Sequence, residues 1–375
     1  MTIRALLCMI AGLLLGAFLG CDSAQKPIKV GELLPLTGEV ASYGRSAHEG
    51  YQLATQEWND RGGILGRRIE LVLGDDKGDP AEGLNVLTRL MERDRITALL
   101  GATLSKVAFV AAPIAQAAEI PMVNPTSSEP GLTEIGDYIF RVCFTDKTQG
   151  EAGAACAITR LRARRAACIF DTGNVFPADL AAIFREKFTQ LGGKVVAFEG
   201  HASGTSNFKP HLAKVLQSHP DLLYIPDFYQ DALLIVREAR AMGFKGALMG
   251  GDGWDSPQFA RMGGADLDGA LFTTNFSKDG ERPAVEDFVR KFRVRNHKDP
   301  DEFAAMAYDA GNILFDAIRR AGSTDGPAVK AALVRTDFPG VSGQIRFDSG
   351  RNPVRGAVIT EIKGGRMIYR GEIRP

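Results

Sequence analysis

Between Ile28 and about Asn275, short β-branched runs alternate with stretches of helical periodicity. That alternation constrains the fold more than any other feature, because strand–crossover–strand units close as a parallel sheet covered by helices. Ile28 to Leu34 reads as a strand, and Ala47, Tyr51, Ala54 and Trp58 then fall on one helix face that stops at Gly62-Gly63. Ile69, Leu71 and Leu73 alternate in a second strand. A helix from about Pro80 to Arg93, a strand from Thr97 to Gly101, a helix from Ser105 to Glu119 and a strand from Pro121 to Val123 complete one set. The alternation restarts at Gln149 and runs through strands at Ala166 to Phe170, Lys194 to Glu199, Asp221 to Ile225, Ala247 to Met249 and Gly269 to Thr274. Helices at about Pro283 to Asn296, Phe303 to Ala321 and Gly326 to Val334 follow, with two or three short strands after Val341. The expectation is two α/β lobes in tandem, since about 355 residues exceed one core. Such lobes leave a cleft at the carboxyl ends of their strands, where small molecules bind.

The first residues carry a different message. Arg4 is the sole charge before Asp22, and the apolar run ends in Leu19-Gly20-Cys21. About 15 apolar residues make a signal peptide rather than a spanning helix, which needs about 20. A Cys behind a small residue resembles the lipobox of bacterial lipoproteins, so residues 1–20 are expected to be a signal, Cys21 the lipidated residue, and 21–27 a tether. Asp22 resembles a signal for staying at the inner membrane. Without Arg4, a balance of 45 basic and 45 acidic residues becomes −1, which gives no field favouring nucleic acid or an anionic surface. Beyond Cys8 and Cys21 only Cys143, Cys156 and Cys168 remain, without metal-ligand spacing, and they read as small buried hydrophobes, with one bridge among the three left open in an oxidising compartment. His48, His201, His211, His219 and His297 are scattered and read as surface residues. No nucleophile elbow, dinucleotide turn or P-loop is present, so no catalytic residue, cofactor or metal is expected.

The chemistry sits in the loops. Ser105 follows the strand Thr97 to Gly101, either as an N-cap or as a ligand donor. Asn124-Pro125-Thr126-Ser127-Ser128 follows the next strand and offers three consecutive hydroxyls. Neutral donors at two strand ends suit a carboxylate better than a phosphate ester. In the second half, Gly250-Gly251-Asp252-Gly253-Trp254 places a carboxylate at a strand end, where it can neutralise an ammonium. Without the opposite hydroxyls, a turn-forming role for Asp252 would be the better reading. Tyr43, Phe228 and Tyr229 supply aromatic walls or ordinary core.

Leu33-Leu34-Pro35-Leu36-Thr37-Gly38, Asn59-Asp60-Arg61-Gly62-Gly63-Ile64-Leu65-Gly66, Phe140-Arg141, Gln149-Gly150, Gly250-Gly251-Asp252-Gly253-Trp254 and Tyr308-Asp309-Ala310 occur in this order. Together with Tyr43-Gly44 they make the chain resemble the periplasmic leucine/isoleucine/valine-binding proteins from Ile28 to about Ile373. The resemblance implies two Rossmann-like lobes of type I periplasmic binding architecture, joined by three hinge crossovers: residues 28–144 with 276–353, and 145–275 with 354–375. It implies an amino-acid ligand handed to an ABC permease in the inner membrane, and a periplasmic location with membrane contact through the lipid anchor alone. Ser105 and Ser128 match the hydroxyls that take the ligand carboxylate, Thr126 and Ser127 the loop between them, Asp252 the ammonium partner, and Phe228 and Tyr43 the side-chain pocket. Better-known members carry Glu at Asp252 and Tyr at Phe228, a Tyr-Gly pair where this chain has Phe176-Pro177, and a disulfide near the first strands that this chain lacks. Two other readings remain open here: a sensor lobe for amides or small carboxylates, and a two-domain α/β enzyme.

Overall fold

The computed structural model describes residues 26–374, so the signal segment and Cys21 lie outside the described residues. Two sheets carry the architecture. The first has the order β2-β1-β3-β4-β5 and is parallel throughout. Its strands are β1 (Ile28–Leu34), β2 (Ile69–Asp75), β3 (Ala98–Gly101), β4 (Met122–Asn124) and β5 (Ile139–Arg141), with α1 (Ala41–Asp60), α2 (Pro80–Glu92) and α3 (Ser105–Ala117) between them. The second sheet alternates α4 (Asp146–Thr159), β6 (Arg165–Asp171), α5 (Val175–Gln190), β7 (Lys194–His201), α6 (Lys209–Gln217), β8 (Leu222–Ile225), α7 (Tyr229–Ala241), β9 (Ala247–Gly250), α8 (Pro257–Gly263) and β10 (Leu271–Thr274). The chain then returns to the first lobe as α9 (Pro283–Asn296), α10 (Glu302–Ala321), α11 (Gly326–Val334) and the hairpin β11 (Asp337–Gly340) and β12 (Gly343–Arg346). It ends as β13 (Ala357–Lys363) and β14 (Arg366–Ile373), antiparallel strands that complete the second sheet in the order β14-β13-β10-β9-β8-β6-β7.

The chain therefore passes between the sheets three times, after β5, after β10 and before β13. Both sheets reverse their strand order beside the first strand of each lobe. β1 lies between β2 and β3, and β6 between β7 and β8, so the loops leaving these strands diverge and open a crevice at the carboxyl ends. One apolar cluster runs without a break from Leu99 and Val107 of the first lobe, through Tyr43 and Phe303, to Trp254 and Phe259 of the second.

Helix ends follow ordinary capping chemistry. Asp79, Thr145, Asn174, Ser256 and Asp301 each accept a backbone N–H of the first turn. α10 buries the apolar stripe that the sequence predicts, with Met306, Ala310, Leu314 and Ala317 fully enclosed. It packs on α1 closely enough that a Cβ on Gly50 would stand 2.1 Å from the Ala304 carbonyl oxygen. Gly50→Ala must push the two helices apart, and a loss of about 1–3 kcal/mol in urea unfolding is the expected outcome. Cys143, Cys156 and Cys168 are buried and free. One histidine departs from its surface reading: His201 is enclosed, and its Nε2 lies 3.0 Å from Asp227 Oδ2. Its position at the end of β7, under Phe208, takes it into the interior.

Candidate functional site

The loop after β4 is built from within. Asn124 Oδ1 accepts the N–H groups of Thr126 (3.1 Å) and Ser127 (2.7 Å), while its Nδ2 donates to Ala102 O at 2.8 Å. Thr126 Oγ1 donates to Thr103 O, and Ser127 Oγ to Ala102 O, both at 2.9 Å. The buried Arg141 guanidinium holds the far side, donating to the carbonyls of Ser127, Glu129 and Pro130. These contacts differ from the sequence expectation in two ways. The amides of Thr126 and Ser127 already have an acceptor, and the Ser127 hydroxyl is directed into its own lobe. Of the expected hydroxyl residues, Ser105 and Ser128 line the cleft without donating to a backbone carbonyl of their own loops, and Thr103, whose hydroxyl is unpartnered, lines it with them. Ser105 is not a cap, because Leu104 occupies the N-cap position and Ser105 is the first residue of α3. Its hydroxyl thus sits beside the N–H groups of a first helical turn, which have no intrahelical acceptor.

Across the crevice, β9 ends in Gly250 and the chain enters a 3-10 turn at Asp252. Asp252, Gly253, Phe228 and Phe176 of the second lobe meet Ser105, Thr126 and Ser128 of the first around one narrow space, which Leu104 and Phe303 help to close. That space measures about 20 Å³, room for roughly one water molecule. The rings form a continuous belt. Phe176 stacks on Phe228 at 5.5 Å, Phe228 meets the edge of Tyr43 at 5.8 Å, and Tyr43 stacks on Phe303 at 4.1 Å. Tyr43 stands behind the other rings, and its hydroxyl donates to Gly253 O at 2.5 Å, so it ties the lobes together. Trp254, expected beside Asp252 at the strand end, is fully enclosed and packs on Phe259 at 4.8 Å.

The electrostatics of this space are one-sided. Burial pushes the Asp252 carboxyl up to about 7, opposed by the Gln149 amide and by the N–H groups of Asp252 and Gly253. Asp146, at the start of α4, is also enclosed. Burial first and the neighbouring Asp252 second raise its carboxyl to about 8, while Ser128 and Arg141 work in the other direction. Neither carboxylate oxygen of Asp146 and neither amide atom of Gln149 has a hydrogen-bond partner of good geometry. Unpartnered buried acceptors of this kind favour a cation or a strong donor between them. Asp146, Gln149 and Phe303 extend the site beyond the residues singled out in the sequence. The helix begins at Asp146, capped by Thr145, three residues before the start at Gln149 that its periodicity predicts.

The periplasmic binding protein family model matches residues 27–366. A Leu/Ile/Val-binding protein homolog 1 from Brucella suis is 30% identical over 334 residues, covering 88% of this chain and 89% of that protein. The crystal structure of a leucine-binding protein from Thermotoga maritima is 34% identical and superposes with a TM-score of 0.89, covering 93% of this chain and 99% of that one. A solute-binding protein of an R. palustris ABC transporter, solved with benzoate, is 25% identical with a TM-score of 0.85, over 93% of this chain and 97% of its own. Two lobes, three crossovers and these matches agree: the chain belongs to the periplasmic binding protein family, in the group of the leucine/isoleucine/valine-binding proteins and their homologues.

Proposed function

We propose that this protein is the extracytoplasmic solute-binding component of an ABC transporter and that it binds an α-amino acid of the branched-chain class between its lobes. One observation carries the reading: Ser105 and Ser128 of one lobe and Asp252 of the other line a single gap together with the rings of Phe176, Phe228 and Phe303. Ser105, Ser128 and the first turn of α3 receive the ligand carboxylate. Asp252 takes the ammonium, and Phe176, Phe228 and Phe303 cover the side chain. Thr126, Ser127 and Tyr43 act as supports, the first two by shaping the loop and the third by holding Gly253. An amino acid is larger than the gap, so the lobes part to admit it and close over it. Closure follows only if the ligand binds the closed form more tightly. The protein performs no chemistry on its ligand, and it delivers it to a membrane permease. Among the described residues no helix is long and apolar enough to cross a membrane, and Cys21 supplies the lipid anchor in this reading.

Calorimetric titration with leucine, leucinamide and isocaproate tests the clamp. Leucine is expected to bind at least about a hundredfold more tightly than either analogue, since each leaves a buried polar group unpaired. Equal affinity for all three removes the zwitterion reading. The benzoate complex of the R. palustris relative gives a second reading, an aromatic carboxylate between Phe176 and Phe228. Benzoate binding with leucine silent would establish it.

A further inference from the structure

Behind the Asp252 loop, three side chains from different parts of the hinge meet at one hydroxyl. Thr274 Oγ1, at the end of β10, lies 2.7 Å from Oδ2 of Asp255 and 2.5 Å from Oε2 of Glu302. Asp255 belongs to the second lobe, two residues before α8, and Glu302 is the first residue of α10 in the first lobe. A threonine hydroxyl has one proton to donate. It satisfies one of these carboxyl oxygens, and the other contact then needs a proton from the carboxyl itself. The remaining partners do not supply that proton. The Asn275 amide donates to the other oxygen of Glu302, and Phe276 N–H makes only a 3.5 Å approach to Thr274 Oγ1.

We propose that Asp255 and Glu302 share one proton through Thr274 in the closed form, and that this proton makes ligand-driven closure a proton-uptake step. The inference rests on the hinge-closing reading above. When the lobes part, Asp255 and Glu302 separate and face water, where carboxyls release protons near about 4. In the closed form the surroundings work against ionisation. Both groups are enclosed; Asp301 and Asp252 stand near Asp255, and Asp252 and Asp255 stand near Glu302. Burial and these neighbours raise Asp255 to about 8 and Glu302 in the same direction. The positive groups nearby are engaged elsewhere. Arg355 donates to the carbonyls of Val142, Asn275 and Ser342, Lys298 pairs with Glu49, and Lys278 with Asp279 and Asp299. Asp301 is held by the Ser46 hydroxyl and the Ala304 N–H.

The sign follows from linkage. Between the open-state and closed-state values the closed form holds the extra proton, so affinity falls as pH rises, by up to about tenfold per pH unit from about 5 to about 8. Outside that window this pair leaves affinity flat. Asp252 faces the ligand ammonium and stays ionised with it, so it does not supply this slope; Asp146 is separated from the pair by testing the pair alone. Asp255→Asn and Glu302→Gln each bring an N–H donor to Thr274 and remove the need for the proton.

Leucine is titrated by calorimetry in buffers of different ionisation enthalpy at pH 6 to 8. The proposal expects uptake of about one proton by the wild-type protein and a clear reduction in each variant. Leucine binding without proton uptake, or with uptake unchanged in both variants, overturns it and leaves the functional reading intact. If leucine, isoleucine, valine and benzoate all give no heat, the functional reading fails instead. The shared proton is then judged on the ligand-free protein: melting temperature falling from pH 5 to 8 more steeply in wild type than in either variant supports it, and parallel profiles overturn it.

Discussion

Asp252→Asn is expected to weaken leucine binding by roughly thirtyfold to several thousandfold, with the fold intact. The carboxylate is enclosed beside Phe228 and Gly253, and truncating one partner of a buried hydrogen-bonded charge pair costs about 2–5 kcal/mol. That range corresponds to roughly thirtyfold to several thousandfold in dissociation constant. Calorimetry gives the affinity, and unchanged circular dichroism shows that the variant folds. The same change relieves a strain of the unliganded protein. Burial raises Asp252 to about 7 and Asp146 to about 8, and the Asp252 charge adds to the difficulty of ionising Asp146. Removing one charge therefore leaves the empty protein as stable as before or slightly more so at neutral pH. A variant that binds leucine as well as the wild type would show that the ammonium lies elsewhere.

Arg355→Met is expected to lower the unfolding free energy in urea titration by about 1–3 kcal/mol for each buried acceptor it leaves without a donor. One guanidinium nitrogen donates to Val142 O (3.0 Å) and Ser342 Oγ (3.1 Å), the other to Asn275 O and Ser342 O, both 2.8 Å. Val142, Asn275 and Arg355 belong to the three segments that cross between the lobes, and Ser342 to the turn between β11 and β12, so a single side chain fastens all three crossings. An apolar replacement leaves buried acceptors without donors, and each such loss is worth more than the hydrogen bond it ends. Arg355→Lys is expected to recover only part of the stability, because an ammonium lacks the planar fork that reaches Val142, Asn275 and Ser342 at once. A loss under about 1 kcal/mol, the scale of an ordinary surface pair, would mean that the crossovers are held by their flanking strands alone.

Much of this was legible along the chain because its causes are local. β-branched runs and three- and four-residue spacing placed the strands and long helices; α9 and α11 span the expected residues, and most other boundaries differ by one to three positions. Strand β5 and helix α8 were not expected. Each is short, three and seven residues, and is held by its neighbours rather than by its own periodicity. Ser105, Ser128, Phe228 and Asp252 were readable as loop residues at strand ends, and the structure gathers them around one gap. Ser127 and Trp254 show the limit. A hydroxyl or an indole at a strand end has the same sequence signature whether it turns toward the cleft or into its own lobe, and Asn124 and Phe259 decide that here.

Sequence by itself determined the α/β class and the family, because periodicity and residue type act over a few neighbours. Only the tertiary structure decided which hydroxyl residues line the gap, that Asp146 and Gln149 stand beside Asp252, and that Arg355 and the Asp255–Thr274–Glu302 contact sit at the hinge. The physical reason is separation along the chain. Glu302 lies 28 residues from Thr274, and Tyr43 lies 210 from Gly253, so neither residue's role has any trace in its own neighbourhood until closure brings the partners within hydrogen-bonding reach.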